Sequence, residues 1–248
     1  MWFRSLGYSE GRGTSMSEDQ IHNKILAALP RSEYERIRPL LRPEQLPSGK
    51  SLYDSGETIS DVYFFNTGMA SLVSLTDDGA SIEVGVIGNE GMVGVSAILG
   101  TNRMAQDAMV QLPGSAFKMK WTALTAELHR TDKLHRLLMR HMYLLHVQVA
   151  RSVVCNRFHD VESRLCRWLL MSYERVDSNQ IPLTQEFLST MLGVARPIVS
   201  LTARTLQNAG LIEYRKGQIT ILDLDGLMAT ACECYEIVRA ESSQFELM

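Results

Sequence analysis

Three patterns in the sequence predict an α+β chain in which a β-rich unit, one long helix and a small winged module follow one another. Short apolar runs separated by turn residues lie between Pro43 and Lys120, the texture of a compact all-β unit. The stretch from Lys133 to Asn156 holds no Gly or Pro and keeps a helical apolar period. Between Ile181 and Ile221 a helix, a glycine turn, a second helix and a hairpin succeed one another. A length of 248 residues suits two modest domains.

The opening segment Met1 to Met16 carries Arg4 and Arg12 among Gly and Ser residues, without the sustained apolar core of a secretory signal. Residues 1–20 are therefore expected to be a disordered lead-in, with Met16 a second candidate start. Apolar positions Ile21, Ile25, Leu26, Leu29, Ile37, Leu40 and Leu41 predict short helices interrupted at Pro30. The runs Val62 to Phe65, Ala70 to Leu75 and Ile82 to Ile87 then alternate with Ser48-Gly49, Ser55-Gly56, Thr67-Gly68, Asp78-Gly79 and Gly88-Asn89, which predict strands and turns. Met109 to Leu112 and Ala116 to Met119 are expected to be the last two strands. Residues 21–132 form the first unit on this reading.

Residues 133–158 are expected to form the long helix. Leu134, Leu138, Met142, Leu145, Val149 and Val153 recur at steps of three or four and give it a continuous apolar stripe. Such a stripe can pack on its own β unit alone. Its length also suits a two-helix seam between copies, so Leu138, Met142, Leu145 and Val149 are the expected homodimer interface. A further helix over about Asp160 to Arg175, with Val161, Leu165, Leu169 and Leu170, opens the module of residues 159–248.

Within that module Thr184 is placed to cap a helix Gln185 to Leu192, and Gly193 supplies the tight turn. Arg196 and Pro197 open a second helix, proline being tolerated in a first turn, and Gly210 ends it after Asn208. At about 100° per residue, Val199, Thr202, Ala203 and Leu206 fall on one side while Arg196, Ser200, Arg204 and Gln207 share the other. One side is suited to packing and the other to reading DNA. Leu211 to Tyr214 and Gln218 to Ile221 then read as a hairpin tipped by Arg215-Lys216-Gly217, a wing whose cations suit phosphates. Expected DNA contacts are Gln185, Arg196, Ser200, Leu201, Arg204 and Lys216.

The net charge of −3 gives no general affinity for nucleic acid. Between Ile181 and Ile221, however, four basic residues face two acidic ones, a local balance of +2. Cys155, Cys166, Cys232 and Cys234 are too few and too scattered for a disulfide framework, which suits a reducing cytoplasm. The chain shows no stretch near the roughly 18 apolar residues of a membrane span. Neither Cys232 and Cys234, two apart and turned from each other if helical, nor the histidines His22, His129, His135, His141, His146 and His159 show a trusted metal spacing. His141 and His146 are expected at the surface or in the seam. No cofactor and no metal are expected. Nucleophile elbow, Walker loop and metal triad are lacking, which disfavours an enzyme.

The layout resembles the Crp/Fnr family of bacterial regulators over roughly Ile21 to Asp223. The resemblance rests on Gly49, Leu52, Gly56, Val62-Tyr63-Phe64-Phe65, Gly68, Asp78-Gly79 and Gly91-Met92-Val93-Gly94, and on Gln185-Glu186, Leu192-Gly193, Arg196, Val199, Leu206, Gly210-Leu211-Ile212 and Gly217. It implies a cyclic-nucleotide-binding-like β-roll serving as sensor, a long dimerisation helix and a C-terminal winged helix-turn-helix. It also implies a palindromic double-stranded operator, RNA polymerase as a partner and a small-molecule effector. Relatives that bind cyclic AMP place a glutamate after the last β-roll glycine and an arginine further on. Here those positions are Val95 and Gln106, with Ser96 and Asp107 beside them and Arg103 nearby, so the expected effector pocket is degenerate toward cyclic AMP. The alternative is a ligand- or protein-binding signalling module that does not bind DNA.

Overall fold

The computed structural model describes residues 21–130, 132–176 and 178–246. The expected lead-in lies outside them. In chain order the elements are α1 (Lys24–Ala27), α2 (Arg31–Ile37), β1 (Arg42–Leu46), β2 (Ser51–Tyr53), β3 (Asp61–Leu75), β4 (Ser81–Ile87), β5 (Met92–Val93), a 3-10 turn (Val95–Leu99), β6 (Asp107–Lys120), α3 (Trp121–Leu128) and α4 (Asp132–Phe158). There follow α5 (Val161–Tyr173), β7 (Gln180–Pro182), α6 (Gln185–Leu192), α7 (Arg196–Asn208), β8 (Ile212–Arg215), β9 (Gln218–Ile221), α8 (Leu224–Thr230) and α9 (Cys234–Glu246). The architecture is α+β: a β-rich first part, one long helix, and a helix-turn-helix with a wing. Among the described residues no helix is long and apolar enough to cross a membrane.

The chain divides into two compact units, one running up to Ser71 and resuming over Ile87–His141, the other comprising Leu72–Val86 and Met142 onward. In the first, β1, β6 and β3 lie side by side, with β2 paired to β6 and β5 to β3. One expected turn proves to be a strand interior. Thr67-Gly68 lies inside β3, and the two expected last strands, Met109 to Leu112 and Ala116 to Met119, are one continuous strand, β6, with Gly114 inside it. The backbones approach so closely here that a Cβ on Gly68 would lie 2.6 Å from the Leu112 carbonyl oxygen, and one on Gly114 would lie 2.1 Å from that of Thr67. These glycines serve close strand packing, a role that a turn signal does not distinguish from a turn.

Phe64, Phe65, Met69, Met92 and Leu112 are fully buried in this unit. Asn23 is buried with them, its Nδ2 donating to Phe65 O at 2.9 Å and Gly91 O at 2.8 Å. His141, expected at the surface or in a seam, is buried: its Nε2 lies 3.2 Å from both the nitrogen and the oxygen of Met92. A Cβ on Gly91 would come within 2.2 Å of its ring, so the glycine makes the room this imidazole fills.

In the second unit α5 is capped by Asp160, which accepts from Ser163 N at 2.8 Å. Leu165, Leu169, Ile181, Leu188, Val199, Leu206, Ile212, Ile219 and Leu227 form the buried interior of the winged module. Its small sheet has the order β7-β9-β8, all antiparallel, with Tyr214 opposite Ile219 and Arg215 opposite Gln218.

Candidate nucleic-acid interface

The geometry of the motif follows from a few local choices. Thr184 accepts from Phe187 N at 3.2 Å and starts α6, whose Phe187, Leu188, Met191 and Leu192 are buried. Gly193 adopts φ 61°, and its N–H returns to the carbonyls of Ser189 and Thr190, closing the helix within one residue. Ala195 begins α7 in an extended conformation without a side-chain cap, and Pro197 occupies the first turn. Val199, Thr202, Ala203 and Leu206 are buried, which leaves the opposite side open.

On that open side Arg196, Pro197, Ser200, Leu201 and Arg204 line one shallow depression. Arg196 and Arg204 are exposed, and Leu201 is 65% exposed. Ser200 Oγ donates to Gln185 Oε1 at 2.7 Å, which brings the first residue of α6 to the same surface. Ile198, also exposed, is not among the expected contacts. Gln207, read from the sequence as part of the exposed face, accepts from Tyr214 N at 2.9 Å and thereby ties the end of α7 to the wing.

The wing turn is Lys216-Gly217, with φ 51° and 76°. Two successive positive φ values are what a two-residue hairpin turn matched to strand twist requires. Gly217 O accepts from Leu183 N at 2.8 Å, so the cationic tip is held beside the start of α6. Lys216 is exposed there.

The remaining expected residues fall elsewhere. Val95 is buried at the start of the 3-10 turn, after Gly94 at φ 96°. Ser96 Oγ lies 4.0 Å from Met104 Sδ, and Gln106 is half-buried. Arg103 Nε donates to Gly56 O at 3.0 Å, and Asp107 Oδ1 accepts from Ser55 N at 2.7 Å. On α4, Leu138 is fully buried within its own chain and cannot be part of an exposed stripe. Leu145 is turned partly inward, its Cδ1 lying 3.1 Å from where a Cβ on Gly85 would stand, while Met142 and Val149 are half-exposed. The apolar residues that α4 leaves well exposed are Met139, Tyr143, Val153 and Phe158. Cys232 and Cys234 are not turned apart on one helix: Cys232 precedes α9, and both thiols converge on Cys155 and His159.

A helix-turn-helix carrying a basic-tipped wing, preceded by a β-roll, defines a DNA-binding regulator. A family model described as a cyclic nucleotide-binding domain matches residues 43–131, and one described as a Crp-like helix-turn-helix domain matches residues 163–230. The two together span more than half of the chain, and the chain belongs to the Crp/Fnr family of transcription regulators.

Solved structures share the fold. A putative Crp/Fnr-family transcriptional regulator from Eubacterium rectale superposes with a TM-score of 0.66 at 16% identity, covering 85% of this chain and 99% of that one. FixK2 from Bradyrhizobium japonicum gives 0.67 at 15% identity, covering 77% and 98%. A CRP-family transcriptional regulator from Thermus thermophilus gives 0.61 at 19% identity, covering 76% and 96%. The comparison with curated proteins returned no match.

Proposed function

We propose that this Crp/Fnr-type regulator acts as a homodimer on a palindromic operator, and that its β-roll, residues 21–132, does not respond to cyclic AMP. The observation that carries the reading is the continuous exposed surface formed by Arg196, Ser200, Leu201 and Arg204, with Gln185 hydrogen-bonded into it. In this arrangement Arg196 pairs with a guanine edge and Leu201 touches a thymine methyl, while Arg204, Gln185 and Lys216 hold phosphates. Residues 159–248 supply the reader, and residues 133–158 supply the seam.

For the seam, Met139, Met142, His146, Val149 and Val153 follow one another at alternating steps of three and four, all half or fully exposed. That is the spacing of a two-helix interface. Cyclic AMP does not fit the residues of the β-roll. Where the family places a carboxylate for the ribose hydroxyl, Val95 offers only a buried apolar side chain. Arg103 already donates to the Gly56 carbonyl, and the Asp107 carboxylate would repel a phosphate diester. Work in the cytoplasm alongside RNA polymerase, under an effector other than cyclic AMP, completes the proposal.

Gel-shift selection from genomic fragments tests the core of it, with calorimetry against cyclic AMP and cyclic GMP in parallel. A two-fold symmetric site bound at nanomolar concentration, with no nucleotide heat, is expected. Binding without sequence preference defeats the operator reading. A micromolar dissociation constant for either nucleotide defeats the effector reading.

A further inference from the structure

The second unit gathers chemistry that a DNA reader does not need. Cys155, near the end of α4, and His159, one turn later, meet Cys232 and Cys234, which flank the start of α9. Cys155 Sγ lies 3.4 Å from Cys232 Sγ, and Cys234 Sγ lies 3.7 Å from His159 Nδ1. The three sulfurs and the imidazole nitrogen all lie within 4.8 Å of one another. A single tetrahedral ion with metal–sulfur bonds of about 2.3 Å and metal–nitrogen bonds of about 2.0 Å sets its ligand atoms about 3.5 to 3.8 Å apart, close to the Cys155–Cys232 and Cys234–His159 separations.

We propose that Cys155, His159, Cys232 and Cys234 form a closed tetrahedral site for one thiophilic divalent cation, Zn2+ foremost. Three thiolates select such an ion over Mg2+ or Ca2+, which prefer oxygen ligands. Four protein ligands make the site structural, with no position left for a substrate.

Two surrounding features fit a metal and go beyond what three buried thiols acting as small apolar side chains would require. His159 Nε2 lies 3.2 Å from Glu233 Oε1, so Nε2–H donates to the carboxylate and the Nδ1 lone pair is left toward the sulfurs. This is the usual outer-shell support of a metal-bound histidine. Arg167 stands by as the balancing charge: its Nη2 reaches Ser152 Oγ at 3.3 Å, while its buried Nε has no hydrogen-bond partner among the described residues. Three thiolates, a neutral imidazole and a divalent ion leave one net negative charge for it to offset. Metal entry displaces the thiol protons to solvent, with no change of oxidation state. Once loaded, the ion fastens the end of α4 to the start of α9, the helix that follows the winged module.

The test uses the full chain, purified with reductant, stripped by chelator and titrated with Co2+. One equivalent should bind, with an intense thiolate-to-cobalt charge-transfer band and the visible bands of a tetrahedral ion, and Zn2+ should erase both. Cys155→Ser and Cys234→Ser should abolish this spectrum, while Cys166→Ser, a buried thiol outside the cluster, should keep it. Glu233→Gln should retain the spectrum and weaken Zn2+ about 10- to 100-fold. If the serine variants fail to fold, His159→Cys decides the matter, since a four-thiolate site remains tetrahedral and intensifies the charge-transfer band. A reduced, folded chain that takes up no cobalt overturns the proposal. So does a cobalt spectrum unchanged in Cys155→Ser, Cys234→Ser or His159→Cys.

Discussion

Ser200 Oγ donates to Gln185 Oε1 across 2.7 Å, joining the exposed side of α7 to the first residue of α6. The hydroxyl has one proton and a second acceptor within reach, the Arg196 carbonyl at 3.1 Å. Removing Gln185 therefore lets the proton turn to its own helix, and the net loss stays small. Gln185→Ala and Ser200→Ala are each expected to lower stability by about 0.5–1.5 kcal/mol, the double variant costing less than the sum. Urea denaturation of the four proteins measures the coupling. Additivity to within about 0.3 kcal/mol means that the contact holds nothing in place.

The winged module is legible in the sequence because each of its signals acts locally. Thr184, Gly193, Pro197 and Gly217 constrain their own backbone, and the burial of Val199, Thr202, Ala203 and Leu206 follows from helical periodicity alone. What escapes depends on distant partners. Gly68 reads as a turn, because a sequence does not say which carbonyl will press against a missing Cβ. Leu138 and His141 sit on a helix whose orientation is set by the chain packed on it, and Gly91 makes room for His141 from 50 residues away. Cys155 and His159, one helical turn apart, carry a usable signal, but the expectation for Cys232 and Cys234 assumes a helix through both. Ala231 instead turns the chain at φ −66°, ψ 151°, before α9 begins.

The placement of Leu138 separates folding from association on α4. Leu138→Ala removes buried apolar volume and should cost about 2–5 kcal/mol of stability without dissociating the proposed dimer. Val153, 67% exposed, should behave in the opposite way, with Val153→Asp leaving the fold intact and placing an unpaired charge in the seam. Analytical ultracentrifugation at micromolar concentration, together with thermal unfolding, distinguishes the two effects. A Val153→Asp chain that sediments with the wild type places the interface elsewhere.

Asp61 gives the β-roll a defined acid sensitivity. Burial raises its pKa, but hydrogen bonds from Lys120 and Ser60 and the charges of Lys118 and Lys120 outweigh burial and hold it below the usual carboxylate range. Lys120 Nζ lies 3.0 Å from Oδ1, and Ser60 Oγ lies 3.0 Å from Oδ2. A folded-state value below the unfolded one contributes stability that is complete above the unfolded value, near pH 4, and is lost as pH falls through the folded value. The stability difference between wild type and Asp61→Asn should thus be constant from neutral pH down to about pH 5 and shrink below about pH 4. Urea midpoints across that range provide the measurement. A difference that grows on acidification contradicts the assignment.

Arg196 and Lys216 should fail in different ways when removed. Arg196 is the first long donor on the exposed side of α7, next to the turn that approaches the groove, and the opening residues of such a helix meet base edges. A bidentate arginine–guanine pair discriminates by about 1–3 kcal/mol, so Arg196→Ala should lose specific affinity while random DNA is held nearly as before. Two half-sites roughly double the loss. Lys216, exposed on a turn fixed by positive φ, points a single charge from a backbone that cannot follow base sequence. Lys216→Ala should therefore weaken specific and random DNA about equally, and should reduce the slope of log affinity against log salt by about one for each contact removed. Gly217→Ala supplies the geometric control, since alanine resists the φ of 76° that seats the tip, and it should resemble Lys216→Ala in its effect on DNA. Fluorescence anisotropy with specific and scrambled duplexes over a salt series reads all three. If Arg196→Ala keeps the wild-type ratio of specific to random affinity at one fixed salt concentration, base reading belongs to another residue of this surface.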